Sequence, residues 1–67
     1  MIQISLNNET QQIASNTLLS DALLHWGYTD VKIAVAINNE FVPRSTYTQR
    51  LIVSGDLIDI VKPVGGG

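Results

Sequence analysis

Ile2, Ile4 and Leu6 alternate with Gln3, Ser5 and Asn7 at the start of the chain. That period of two belongs to a strand with one face buried and the other in water. Asn7-Asn8-Glu9-Thr10 then reads as a polar turn, since asparagine tolerates positive φ, and residues 11–14 as a returning strand. The pattern predicts an opening β-hairpin. After Ser15-Asn16-Thr17 the period changes: Leu19, Leu23 and Trp26 fall at i, i+4 and i+7 with Ala22 between them, one apolar stripe of a helix. Thr17 is the expected N-cap and Gly27 the expected stop. The helix predicted between them has about two and a half turns. A helix so short persists only when laid across a sheet.

Alternation returns at Ile33, Val35 and Ile37, and the intervening Ala34 and Ala36 predict a second face that is crowded or partly covered. Asn38-Asn39 signals a tight turn into Glu40-Phe41-Val42. Pro43 cannot donate to a ladder, which makes this strand short or puts it at an edge. Residues 45–50 are polar and irregular, with room for one turn of 3₁₀ helix, and Ile52 returns to the core. A turn at Ser54-Gly55-Asp56 leads to a last strand, where Ile58 and Ile60 point inward and Leu57, Asp59 and Val61 outward. Two hairpins about one helix make the β-grasp, or ubiquitin-like, arrangement. The expected class is α+β, a mixed sheet of about five strands with one helix across it, the first and last strands parallel at its centre.

Composition narrows what such a fold does. Sixty-seven residues hold one domain, expected over 1–62 with a tail at 63–67. Apolar residues at 45% and charged residues at 15% are the balance of a folded domain rather than a disordered one. The four basic residues, Lys32, Arg44, Arg50 and Lys62, are scattered and the net charge is −2, which disfavours nucleic acid as a partner. The six acids are equally dispersed and read as solvated surface and turn residues. No cysteine is present, so disulfides, thiolate catalysis and Cys-based metal sites are excluded. A small core leaves little room for a pocket of roughly 300 Å³, which argues against a self-contained enzyme. No secretory signal or membrane span is visible, and a cytoplasmic location is expected.

The chain ends Lys62-Pro63-Val64-Gly65-Gly66-Gly67. Consecutive glycines have too much freedom to lose to extend a helix or sheet, so this segment is expected to project as a flexible strip ending in a bare carboxylate. From Pro63 to Gly67 it reaches roughly 16–18 Å when extended, enough to enter a narrow channel in another protein. Gly67 is then the candidate working group, with no catalytic side chain or metal ligand expected. Elsewhere, His25 reads as a helix-end residue favoured by the dipole, and Trp26 and Tyr28 as core or core-rim residues. Asp56 reads as a turn cap and Asp59 as solvent-exposed. Arg44, Leu57, Val61 and Lys62, taken as outward groups near the tail, are the candidate docking face for a partner.

Three stretches read together carry a family resemblance. Asn38-Asn39-Glu40-Phe41-Val42-Pro43-Arg44 resembles the N-x-x-x-V-P-R hairpin of the ThiS proteins, the sulfur carriers of thiamin biosynthesis. Residues 55–61, Gly-Asp-Leu-Ile-Asp-Ile-Val, resemble their G-D-x-I-x-I-V turn and final strand, and Val64-Gly65-Gly66-Gly67 resembles their terminus. The resemblance covers the whole chain. It implies that an E1-like, ATP-dependent adenylyltransferase adenylates the Gly67 carboxylate. A persulfide donor of the cysteine desulfurase system then replaces AMP with sulfur, and the resulting thiocarboxylate gives that sulfur to thiazole synthase. Val64, Gly65 and Gly66 would thread into those enzymes, and ATP would be bound by the partner, with no cofactor held permanently by this chain. With no cysteine, the terminal acyl carbon is the plausible place for labile sulfur. The helix departs from the family in being apolar at Leu18, Leu19, Leu23 and Leu24, where relatives often carry more acids. The small subunit of molybdopterin synthase, a ubiquitin-like protein modifier and a non-covalent interaction module are the alternatives.

Overall fold

A computed structural model describes residues 1–28 and 32–62. The expected tail at 63–67 and part of the crossover after the helix, at 29–31, lie outside the described residues. The elements run β1 (Ile2–Leu6), β2 (Glu9–Ile13), α1 (Leu19–His25), β3 (Ala34–Ile37), β4 (Glu40–Val42), a 3₁₀ turn (Arg44–Thr46) and β5 (Leu57–Val61). The five strands form one sheet in the order β2-β1-β5-β3-β4. β1 and β5 are parallel and every other pair is antiparallel. The last strand of the chain therefore sits at the centre, as the β-grasp expectation requires.

Two details of the first half differ from the sequence reading. The first turn is two residues, not four: Asn7 and Asn8 take φ of 49° and 68°, and Glu9 and Thr10 already pair with β1. Positive φ at both central positions matches the twist of the flanking strands, and Asn38 and Asn39 repeat the device at 54° and 67°. Thr17 is not the N-cap. Leu18 occupies that position without a side-chain hydrogen bond, while the Thr17 hydroxyl donates back to the Ala14 carbonyl at 2.7 Å. Free N–H groups of the first helical turn go to a neighbouring segment instead: Leu19 N–H donates to the Arg50 carbonyl at 2.8 Å and Ser20 N–H to the Tyr47 carbonyl at 3.0 Å. Backbone acceptors delivered by tertiary structure remove the need for a side-chain cap.

The helix is also shorter than predicted, seven residues or about two turns. Its end follows expectation. Gly27 has φ of 85°, its N–H donates to the Leu24 carbonyl, and Tyr28 N–H donates to the Leu23 carbonyl at 2.8 Å. That pair of bonds is the Schellman arrangement, which needs a residue at ease in the left-handed region.

Leu19, Ala22 and Leu23 of α1 pack on one face of the sheet against Ile4, Ile13, Val35, Ile37, Val42, Ile58 and Ile60, with Ile52 filling in from the loop before β5. Burying each large aliphatic side chain stabilises by about 1.5–3 kcal/mol. The opposite face is open, contrary to the crowding inferred from the alanines: Ala34 is exposed and Ala36 half-buried. Their small size leaves a shallow strip between larger side chains on the flanking strands.

Candidate functional site

The sheet's register fixes how the candidate residues relate. Val35 pairs with both Val42 of β4 and Ile60 of β5. β4 and β5 therefore flank β3 and run in the same sense, and the chain leaves both at the same end of the sheet. Arg44 follows β4 there, exposed at the start of the 3₁₀ turn, and Lys62 follows β5. Leu57 and Val61 stand four residues apart on β5, on the face away from the helix, and remain 51% and 61% exposed.

Lys62 does not join them. Its ammonium lies 5.3 Å from the centroid of the Tyr28 ring, and Tyr28 packs against the core between helix and sheet. One residue beyond Val61, strand alternation has carried the side chain to the opposite face. The expected docking face thus splits, with Leu57 and Val61 on the open side and Lys62 on the helix side.

Phe41, passed over in the sequence reading, belongs to the open face and is 70% exposed. It stands opposite Ala36, which in turn stands opposite Asp59, while Ala34 stands opposite Val61. Phe41, Ala36, Ala34, Leu57 and Val61 together make an apolar surface interrupted by Asp59. The signal was present in the alternation: with Val42 buried, its neighbour on a strand must face the other way. Contiguous exposed apolar surface is a common feature of protein–protein contact sites in general.

The turn launching β5 is held from within. Asp56, expected on the surface, is 3% exposed. Its carboxylate accepts from Val53 N–H at 2.9 Å and from Asn38 Nδ2 at 3.0 Å. Asn38 Oδ1 accepts in turn from Leu57 N–H at 3.0 Å. The expected capping role is present, and it extends across the sheet to the β3–β4 turn. From the other flank, Asn7 Oδ1 accepts from Ile60 N–H at 2.8 Å, extending the parallel pairing past Leu6.

The remaining candidates take structural positions. His25 is the last helical residue and Trp26 packs at the edge of the core. Both line a surface groove of about 370 Å³ between α1 and β2, with Met1, Ile13, Ala14 and Asp21 among its walls. A cleft larger than a chain this short was expected to hold does exist, because it forms between elements at the surface rather than inside the core. Tyr47, beside the 3₁₀ turn, has its phenol pKa raised by partial burial, with the Arg44 guanidinium pulling the other way. Among the described residues no cluster of histidine and acidic side chains is arranged to hold a metal.

Comparison with known proteins decides the family. A sequence model described as the ThiS family matches residues 4–67. The chain belongs to the ThiS family. It is 29% identical over 66 residues to the sulfur carrier protein ThiS of Escherichia coli, covering 98% of this chain and all of that one. It is also 32% identical to a thiazole synthase of Paramagnetospirillum magneticum and 33% to one of Magnetococcus marinus, in each case over 98% of this chain. This ThiS-family chain spans only about 20% of the length of those two proteins. The crystal structure of a thiamine biosynthesis protein ThiS from Geobacter metallireducens superposes with a TM-score of 0.85 and covers 98% of this chain at 17% identity. At that identity the likeness speaks to the fold, and it agrees with the β-grasp topology derived above.

Proposed function

We propose that this ThiS-family chain is a sulfur carrier of thiamin biosynthesis whose working group is the carboxylate of Gly67. The carboxylate attacks the α-phosphorus of ATP on an E1-like activating enzyme, releasing pyrophosphate and leaving an acyl adenylate. The outer sulfur of a persulfide then attacks the acyl carbon and AMP departs. Reductive cleavage of the S–S bond by a thiol frees the thiocarboxylate, which thiazole synthase consumes. A carboxylate is a poor electrophile, and adenylation supplies the leaving group it lacks. Residues without Cβ at positions 65–67 leave the acyl carbon open to attack from the side. On this reading the chain is a co-substrate rather than an enzyme, and the cycle runs in the cytoplasm.

The observation that carries the reading is the family match, which runs through the terminal glycines to residue 67. Support for thiazole synthase as the recipient comes from the two proteins of that name that contain a segment similar to 98% of this chain. The open face of the sheet, Phe41 with Leu57 and Val61, is the surface we assign to the activating enzyme, with Arg44 at its rim. Val64, Gly65 and Gly66 thread towards the reacting centre.

Intact-protein mass spectrometry after co-expression with the activating enzyme and a sulfur source tests the carrier cycle. Exchange of one oxygen for sulfur adds about 16 Da, and because oxidation of Met1 adds nearly the same, the increment must map to the C-terminal peptide. A chain lacking Gly67 should fold normally and stay unmodified. If that truncated chain still supports growth without thiamin, the proposal is wrong.

A further inference from the structure

The last rung of the sheet before the tail is Val61 opposite Ala34. Lys62 is the last described residue beyond it, and the direction in which the chain departs there bears on where Gly67 can reach. The contact shown past that rung is Lys62 Nζ over the Tyr28 ring at 5.3 Å, within the range of a cation–π attraction. Tyr28 is a firm support for it. The Schellman bonds at Gly27 fix its backbone, and its side chain packs against the core.

We propose that Tyr28 is a positioning residue for the carrier reaction, holding Lys62 so that the tail leaves β5 already aimed. The inference rests on Gly67 being the adenylated group. A tail root fixed before binding has less freedom to lose when a partner takes up the chain. The effect falls on capture of the carrier, not on chemistry five residues further along. Tyr28 touches no reacting atom and acts through Lys62.

Steady-state adenylation by the activating enzyme, with the carrier as varied substrate, tests this. Tyr28→Leu and Lys62→Met should each raise the carrier's KM about two- to five-fold, the equilibrium factor matching an exposed cation–π contact, with kcat unchanged. Tyr28→Phe and Lys62→Arg should keep the wild-type KM, because each still places a cation over an aromatic ring. The double variant Tyr28→Leu/Lys62→Met should be no worse than either single one. Effects that multiply in the double variant would show two separate contacts with the enzyme and overturn the proposal, as would a fall in kcat at constant KM.

Lys62 is exposed, so Lys62→Met keeps the test readable if Tyr28→Leu unfolds. NMR of the carrier alone gives a second readout. The Lys62 Cε protons should be shifted upfield by the ring in wild type and Tyr28→Phe, and lose that shift in Tyr28→Leu. No shift in wild type overturns the proposed Tyr28–Lys62 contact whatever the enzyme does. A normal shift in a wild-type chain that is never adenylated overturns the carrier reading and, with it, the role assigned to Tyr28.

Discussion

Replacing Asp56 by alanine tests whether the buried lock at the start of β5 holds the sheet together. The carboxylate accepts two hydrogen bonds, from Val53 N–H and Asn38 Nδ2, and a bond to a charged acceptor contributes about 1.5–3 kcal/mol. Two gains offset the loss: water can replace the lost acceptor at Asn38, which is exposed, and the mutant no longer carries a desolvated carboxylate. About half of the gross figure should therefore appear, a destabilisation of about 1.5–3 kcal/mol. A domain of this size has only about 3–5 kcal/mol to lose, so Asp56→Ala should sit near the edge of folding. Its thermal midpoint should fall by about 10–20 °C. Asp56→Asn keeps one acceptor oxygen and should lose about half as much.

Urea titration followed by Trp26 fluorescence measures both variants, and the slope against urea should not change, because the surface exposed on unfolding is the same. Asn38→Gly removes the partner amide while suiting the positive φ at that position. Its effect and that of Asp56→Ala should add to less than their sum, since both break the bond they share. An Asp56→Ala protein within about 0.5 kcal/mol of wild type, the range of ordinary surface changes, would refute the lock.

Gly27→Ala should destabilise by about 1–2 kcal/mol in the same titration, because φ of 85° strains an L side chain even where the added Cβ meets nothing within 4 Å. Phe41→Ser should leave stability within about 0.5 kcal/mol of wild type, yet lower kcat/KM for adenylation by about tenfold, a loss of about 1.4 kcal/mol of binding; Leu57→Ser should act in the same direction. Folding raises the Tyr47 pKa, with burial the larger cause and Arg44 opposing it, so the folded state favours the neutral phenol. That contribution is fully present below the unfolded value of about 10 and is lost as pH rises through the higher folded value. Tyr47→Phe should flatten this alkaline fall in the thermal midpoint, and an unchanged slope above pH about 10 would refute it.

Most of the scaffold was legible in the alternation of apolar residues. Ile2-Ile4-Leu6, Val35-Ile37 and Ile58-Ile60 each announce one buried face, Pro43 announces the short edge strand, and Gly27 announces the end of the helix. What stayed hidden depends on partners far away in the chain. Thr17 has the chemistry of an N-cap, but Arg50 and Tyr47 bring carbonyls to the helix start, and local sequence carries no trace of them. Asp56 looks like any acid in a turn, yet Asn38, eighteen residues away, helps to satisfy it once buried. Lys62 was placed with its neighbours Leu57 and Val61, and a single step of strand parity sends it to Tyr28 instead. Phe41 could have been found by the same parity argument from Val42. The proposed carrier site rests on the string of residues 64–67, which lie outside the described residues, and on the family resemblance of the hairpin and last strand.

On the carrier reading proposed above, the position of β5 suits so small a domain to work with larger enzymes. A segment pulled into a partner's channel transmits load to the strand that carries it, and an edge strand would peel away rung by rung. β5 instead has β1 on one side and β3 on the other. Asn7 lengthens the first pairing, and the Asp56–Asn38 lock closes the end where the strand begins. Ile58 and Ile60 anchor the same strand in the core. Opening it therefore requires the core to come apart, which is global unfolding rather than local fraying. Among the described residues the buried apolar cluster lies on the helix side, and Phe41, Leu57 and Val61 are exposed on the other. On that reading, holding the tail's root and exposing a docking surface fall to two faces of one central strand.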